Sequence, residues 1–244
     1  MDKDVNVLKE QIAEWIKQKV KEYGAKGAVV GLSGGIDSSV VASLAKKALG
    51  ENVLGVIMPC HSHGKDEEHA KMLAEKMGIK TEYVDLGPVF DKMRESVPSS
   101  EGIPTANIKP RLRMTTLYYF ANMHNYIVLG TDNKDELMVG YFTKYGEGGV
   151  DLLPIASLYK NEVRELGKAL GVPEEIISKS PSAGLWSGQT DEGELGITYD
   201  ELDKILHAIE NNQTEGIDSE KLEKVRKMIK DTEHKRRMPE VFGS

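Results

Sequence analysis

Ser33-Gly34-Gly35-Ile36-Asp37-Ser38 follows the apolar run Ala28-Val29-Val30-Gly31-Leu32 and precedes an apolar helical pattern that begins at Val40. A buried strand that breaks into a glycine pair and restarts as a helix is suited to holding phosphate. Without Cβ atoms the backbone turns tightly, and consecutive N–H groups converge on an anion together with the helix N-terminus. A Walker A loop carries a lysine after its second glycine, and this loop has Asp37 in that region instead. A carboxylate beside bound phosphate repels it unless a cation intervenes, so the loop itself implies Mg²⁺. A bare glycine pair also fits a plain strand-to-helix turn capped by Ser38, and only the rest of the chain decides between the two.

The elements that must position this loop follow from periodicity. Short Val- and Ile-rich runs at 28–32, 53–58, 81–84 and 126–129 alternate with helical patterns at 39–49, 66–77 and 108–123. That alternation predicts an α/β fold, doubly wound, with a mainly parallel sheet and helices on both faces. Ligands bind beyond the carboxyl ends of such strands, where the Gly34-Gly35 and Gly130-Thr131 turns fall. Beyond Asp151 the chain reads as a helical C-terminal part. One helix runs over 158–170, ends at Gly171 and gives way to a new start at Pro173; Thr198 and Glu201 form a capping box, and Asp218 caps a last helix that runs to Lys230. Residues 95–105 and 182–196 take no element and read either as lids or as plain surface loops.

The chain has 244 residues and is expected to form one domain, 1–244. Its 32 lysines and arginines against 39 aspartates and glutamates leave a net charge of −7, which argues against a nucleic-acid substrate. Attraction for a polyphosphate must then come from locally placed cations, for which Arg111, Arg113, Lys144, Lys160 and Lys235 are the candidates. Leu8, Ile12, Trp15, Ile16 and Val20 give the N-terminal stretch the spacing of an amphipathic helix rather than a signal peptide or membrane span, so a cytoplasmic protein is expected. The single cysteine, Cys60, excludes an internal disulfide and reads as a small packing residue. His61, His63 and His69 with Asp66, Glu67 and Glu68 follow no zinc spacing; Asp66 reads more simply as a helix cap. Tyr118, Tyr119 and Phe120 read as packing, in part at a subunit contact.

Ser-Gly-Gly-Ile-Asp-Ser after a strand resembles the pyrophosphate loop of the ATP pyrophosphatase superfamily, which splits ATP into AMP and pyrophosphate to adenylate a substrate. The rest of the chain narrows the resemblance. Asn107-Ile108-Lys109-Pro110-Arg111-Leu112-Arg113-Met114, Gly130-Thr131-Asp132-Asn133-Lys134-Asp135-Glu136 and Gly140-Tyr141-Phe142-Thr143-Lys144-Tyr145-Gly146-Glu147-Gly148-Gly149-Val150-Asp151 come in order. Lys160, Pro181-Ser182-Ala183, Gln189-Thr190-Asp191-Glu192 and His234-Lys235-Arg236-Arg237 follow, and together these look like the ammonia-dependent NAD⁺ synthetase family from end to end.

The resemblance implies an adenine nucleotide α-hydrolase-like fold, the substrates ATP, deamido-NAD⁺ and ammonia, and a homodimer with the deamido-NAD⁺ site completed across the interface. It puts ATP on Gly31, Leu32, Ser33, Gly34, Gly35, Ile36, Asp37, Ser38, Thr131, Lys160 and Ser182. Deamido-NAD⁺ falls to Arg111, Lys144, Asp151, His234 and Lys235. Asp37 and Glu136 are assigned to Mg²⁺, which takes one or two carboxylates plus phosphate oxygens and water. Asp37 and Asp151 are the expected catalytic carboxylates, Asp151 as the group that attracts and deprotonates ammonium.

The chemistry is consistent with those parts. A carboxylate repels an amine nucleophile and has no good leaving group, and adenylation removes both faults. Only 32 residues precede Ser33, too few for a glutaminase domain, so free ammonia is the expected nitrogen source. Two rivals remain at this stage: another adenylating amidase or thiolase on the same fold, and a sensor module that holds ATP without consuming it.

Overall fold

The computed structural model describes residues 4–62, 64–182 and 189–243. Helix α1 (Val5–Glu22) leads into β1 (Gly27–Gly31), α2 (Ile36–Leu49), β2 (Val53–Ile57), α3 (Gly64–Met77) and β3 (Lys80–Tyr83). There follow α4 (Gly87–Ser96), α5 (Ile103–Ala106), α6 (Ile108–His124), β4 (Tyr126–Leu129) and α7 (Lys134–Val139). The helical remainder holds α8 (Lys160–Leu170), α9 (Glu174–Ile177), α10 (Asp191–Leu195), α11 (Tyr199–Glu210) and α12 (Ser219–Asp231).

The four strands are parallel and stand in the order β3-β2-β1-β4. The chain builds outward from β1 to β3, then returns to place β4 on the other side of β1. Strand order therefore reverses between β1 and β4, and a crevice opens beyond their carboxyl ends. Both glycine turns lie at that point.

Along β1, Ala28 and Val30 join a core with Ile16 of α1, Leu44 of α2, Leu73 of α3 and Leu166 of α8. Val29 points the other way, into a core with Phe90 of α4 and Ala121 of α6. Burial on both faces is why β1 and β2 read as unbroken apolar runs rather than alternating ones. β3 is the exposed edge, where Lys80 and Glu82 discourage further pairing. A third apolar cluster ties Val139 of α7 to Leu202 and Leu206 of α11 and Val225 of α12. Among the described residues no helix is long and apolar enough to cross a membrane.

Several boundaries differ from the periodic reading. α2 begins at Ile36, with Gly35 rather than Ser38 at its N-cap, so Asp37 and Ser38 both lie in the first turn. α3 begins at Gly64, which puts Asp66 inside the helix instead of at its cap. α8 begins at Lys160, and the Glu162 carboxylate accepts the Tyr159 N–H at 2.9 Å. The 95–105 stretch is flanked by α4, started by Gly87-Pro88, and interrupted by α5; proline at a first helical turn is the signal that marks both. Within 182–196, Thr190 caps α10 by accepting the Gly193 N–H at 3.2 Å, and 183–188 lie outside the described residues.

The start of α8 is held by two acids. Asp135, wholly buried in α7, accepts the Lys160 backbone N–H through Oδ2 at 2.7 Å. Its Oδ1 and the Oδ1 of Asp203 on α11 are buried with no other hydrogen-bond partner among the described residues. One proton held between the two carboxyls satisfies both atoms. Burial, reinforced by the charge of Asp203, pushes the Asp135 carboxyl up to about 8. The native state therefore holds a proton that the unfolded chain, with an aspartate pKa of about 4, has released. Stability from this pair is complete at low pH and is lost as pH climbs towards about 8. Asp203→Asn supplies an N–H donor and removes the like charge, so it is expected to flatten that decline. Urea unfolding at pH values across the window measures it, and an unchanged pH slope in the variant contradicts the shared proton.

Candidate active site

Lys160 is the first residue of α8 and only 1% exposed. Its Nζ donates to Asp37 Oδ2 at 2.7 Å and to Glu136 Oε1 at 3.1 Å. Each carboxylate stands in the first turn of its own helix, Asp37 in α2 after β1 and Glu136 in α7 after β4, where the N-terminal dipole favours negative charge. Asn133 ties them together. It caps α7 by accepting the Glu136 N–H at 3.1 Å, donates its own N–H to Glu136 Oε2 at 3.2 Å, and donates through Nδ2 to Asp37 Oδ1 at 3.0 Å. From α11, the Tyr199 hydroxyl lies 3.1 Å from Glu136 Oε1 and 3.2 Å from Asp191 Oδ2, and the Lys160 ammonium sits 4.7 Å over the Tyr199 ring.

Burial pushes the Glu136 carboxyl up to about 7 against the pull of the Lys160 ammonium. Burial works against a charged Lys160, yet Asp37 and Glu136 more than offset it and leave the ammonium held above its ordinary value. Asp132 is also buried, its Oδ2 has no hydrogen-bond partner among the described residues, and burial with the charges of Glu136, Glu147 and Asp37 raises its carboxyl well above the usual range.

The phosphate loop is braced from within. Ser33 and Ser38 hydroxyls meet at 3.0 Å, Ser38 Oγ donates to the Gly35 carbonyl at 3.1 Å, and the Gly35 N–H donates to Ser33 Oγ at 3.3 Å. Gly34 has φ +74°, and a Cβ there would stand 2.1 Å from the Asp66 carbonyl oxygen, so no other residue fits. The positions assigned to ATP all line one cleft except Gly34, which is pressed against Asp66. Thr131, Glu136, Lys160 and Ser182 close it from the β4, α7, α8 and C-terminal sides.

The residues assigned to deamido-NAD⁺ gather elsewhere, on the outer side of the 140–150 segment. Arg111 Nη2 donates to the Lys144 carbonyl at 3.3 Å, Lys144 Nζ to the His234 carbonyl at 2.5 Å, and Lys235 Nζ to the carbonyls of Gly140 and Phe142 at 2.8 and 2.9 Å. The inner side of the same segment, at Gly146, Glu147 and Val150, lines the cleft. Asp151 is exposed and outside the cleft lining: one oxygen accepts the Val128 N–H at 2.7 Å and the other the Tyr118 hydroxyl at 3.0 Å, which fixes the carboxylate at the end of β4. Glu147 is the carboxylate of this segment that faces the cleft.

Sequence reasoning missed Asp132, Glu147, Lys179 and Tyr199 as parts of the site. Asp132 and Glu147 sit inside the glycine-rich motifs after β4, but nothing in spacing separates a cleft-facing acid from its neighbours. Two described members of the histidine-acid group are engaged with other partners. His61 pairs with Asp91 at 2.9 Å, Asp66 with Lys179, His63 is outside the described residues, and no set of three or more metal-binding side chains occurs among the described residues. Cys60 is buried and packs against the α4 side of the sheet.

Asp37 and Glu136 converge on one ammonium from two helix N-termini, a donor set of hard oxygens suited to an ion that draws its other ligands from phosphate and water. The residues present thus fit Mg²⁺.

Residues 8–239 match the NAD synthase family. The NH(3)-dependent NAD(+) synthetase of Carboxydothermus hydrogenoformans is 49% identical over 95% of this chain and 95% of its own. That of Methanococcus aeolicus is 54% identical over 84% of each. Among solved structures, NMN synthetase from Francisella tularensis superposes with a TM-score of 0.93 at 38% identity and covers 100% of both chains. NH3-dependent NAD synthetase from Campylobacter jejuni, in complex with the nitrate ion, gives 0.87 at 31% identity over 98% and 99%. With an α/β fold shared along its whole length and a phosphate loop, Gly-Thr turn and buried lysine in one cleft, this chain belongs to the NAD synthase family.

Proposed function

We propose that this chain is an ammonia-dependent NAD⁺ synthetase that converts deamido-NAD⁺, ATP and ammonia into NAD⁺, AMP and pyrophosphate. The observation that carries the reading is the 140–150 segment, which joins the cleft that holds the 33–38 loop to a cationic cluster on its other side. A module that only held ATP would have no use for the second cluster.

Residues 33–38 and the α2 N-terminus hold the β- and γ-phosphates, and Lys160 fixes Asp37 and Glu136 at the phosphate end of the cleft. Those two carboxylates would hold Mg²⁺, which supplies charge stabilisation for a departing pyrophosphate. Arg111, Lys144, His234 and Lys235 orient deamido-NAD⁺ so that its nicotinate carboxylate meets the α-phosphorus. A carboxylate oxygen bonds to that phosphorus as the bond to the bridging oxygen breaks and pyrophosphate leaves. Ammonia then bonds to the acyl carbon, and AMP departs with the shared oxygen. The nitrogen arrives as ammonium, loses one proton to become the nucleophile, and releases a second to solvent as the carboxamide forms. Asp151, fixed by Val128 and Tyr118, attracts ammonium and takes a proton from it, and Glu147, which lines the cleft with one oxygen on the Thr143 N–H at 3.0 Å, adds negative charge for the same ion.

The same reading includes a single domain over 1–244, a cytoplasmic enzyme and a homodimer. Tyr119 and Met123 of α6 are 62% and 55% exposed, an apolar face suited to a second copy. A second reading, amidation of nicotinate mononucleotide, is favoured by the likeness to NMN synthetase over the full length of both chains. Parallel assays with deamido-NAD⁺ and with the mononucleotide decide between them. The dinucleotide is expected to be turned over with the higher kcat/KM.

Asp37→Asn keeps the shape of the side chain but removes the charge facing phosphate, and is expected to lower kcat by at least about a hundredfold, several kcal/mol in the transition state. Turnover close to that of the parent at limiting Mg²⁺ refutes the metal assignment. Lys144→Ala is expected to weaken deamido-NAD⁺ binding about tenfold with little change for ATP. Equal losses by calorimetry point to a structural role for the segment. With ammonium the pure chain should form NAD⁺, and with ammonia-free glutamine it should not. Stoichiometric glutamate release alongside NAD⁺ rules that out.

A further inference from the structure

The cleft presents a charge problem that the proposed function leaves open. Its lining carboxylates outnumber its cations, which among the described residues are Arg113, Lys160 and Lys179. Triphosphate must nevertheless enter it. Lys160 is committed to two carboxylates, and Arg113 is turned to the other end, its Nε donating to the Met58 carbonyl at 3.3 Å beyond β2. Lys179 is different. It comes from the segment after α9, crosses to the phosphate loop, and donates to Asp66 Oδ1 at 2.5 Å and to the carbonyl of Gly34 at 3.4 Å.

We propose that Lys179 is a pyrophosphate-binding cation of this enzyme, held on Asp66 beside Gly34 and transferred to the β- and γ-phosphates when ATP binds. The assignment rests on the reading of the chain as an ATP-consuming synthetase. A Walker loop carries its phosphate lysine within itself; this loop carries Asp37 there, and Lys179 delivers an ammonium to the same turn from another part of the chain. The geometry permits the exchange. Lys179 and Asp66 side chains are 26% and 25% exposed, so their pair is partly solvated and weak compared with the Lys160 cluster. A dianionic phosphate end offers stronger charge-assisted hydrogen bonds than a single carboxylate. Asp66 itself cannot drift away, because its carbonyl oxygen abuts Gly34. The lysine therefore waits within a side-chain rotation of the loop that binds its ligand.

Two variants separate a phosphate ligand from a brace. Lys179→Met removes the ammonium, whereas Asp66→Asn removes its holder and leaves the ammonium free. NAD⁺ formation is measured with pyrophosphate and AMP as product inhibitors, after thermal melting has shown each variant folded. For Lys179→Met we expect a KM for ATP and an inhibition constant for pyrophosphate each raised about tenfold or more, with AMP inhibition unchanged. Lys179→Arg should recover part of the loss, and Asp66→Asn should keep or tighten pyrophosphate inhibition. If both variants lose pyrophosphate and AMP inhibition alike, the pair is only a brace and the proposal is overturned. Unchanged pyrophosphate inhibition in Lys179→Met overturns it as well. Should the parent chain form no NAD⁺, the functional reading fails, and calorimetry of pyrophosphate on parent and Lys179→Met still decides the role of Lys179.

Discussion

A buried ammonium organises this site. Lys160 sits between Asp37 and Glu136 and so joins three places far apart in sequence: the loop after β1, the turn after β4 and the first residue of α8. None of the three charges is tolerable alone in that setting, since a buried ion without its partner costs several kcal/mol. The phosphate loop can therefore keep a carboxylate facing its ligand only because α8 brings a cation to it. The backbone of Lys160 is fixed in turn by Asp135, so the helix start, its capping acid and its first side chain act as one unit.

The placement of that unit follows from the sheet. Because β1 and β4 are neighbours whose chain connections run in opposite senses, their carboxyl ends leave a crevice that no crossover helix fills. Gly130 lets the β4 end pass close to the 150–153 strand-like segment; a Cβ there would lie 2.7 Å from Val150 and Leu153 side chains. That closeness brings the 140–150 segment against the cleft, with Glu147 inward and Lys144 outward. One glycine-rich stretch thus borders both the cleft and the Arg111–Lys144–His234 cluster, and in the proposed reaction the joining chemistry belongs where they meet.

Much of this was legible in the sequence, for physical reasons that differ by residue. Parallel strands buried on both faces leave apolar runs, and the Ser-Gly-Gly-Ile-Asp-Ser string announces a turn that needs glycine. Thr198 with Glu201 and Asp218 with Lys221 carry their caps in adjacent residues, and both caps form. What spacing does not encode is partnership across the chain. Glu147 and Asp151 stand four apart in one glycine-rich stretch and look interchangeable, yet Asp151 accepts from Val128 and Tyr118 while Glu147 accepts from Thr143 and lines the cleft. Lys179 precedes a noticed Pro-Ser pair but shows its importance only through Asp66, more than a hundred residues away. Helices α2, α3 and α8 start two or three residues away from the periodic pattern, because periodicity does not show where a glycine or a distant acid, rather than a local Ser or Asp, begins the first turn.

The most direct test of the account follows oxygen. Deamido-NAD⁺ labelled with heavy oxygen in its nicotinate carboxylate, turned over once with ATP and ammonium, must pass one labelled oxygen to the phosphate of AMP if the carboxylate attacks the α-phosphorus. Mass spectrometry of the products is expected to find one of the two labelled oxygens in the phosphate of AMP, the other in the carboxamide of NAD⁺, and none in pyrophosphate. AMP without label, or label in pyrophosphate, would contradict adenylation as the step this cleft is built to perform.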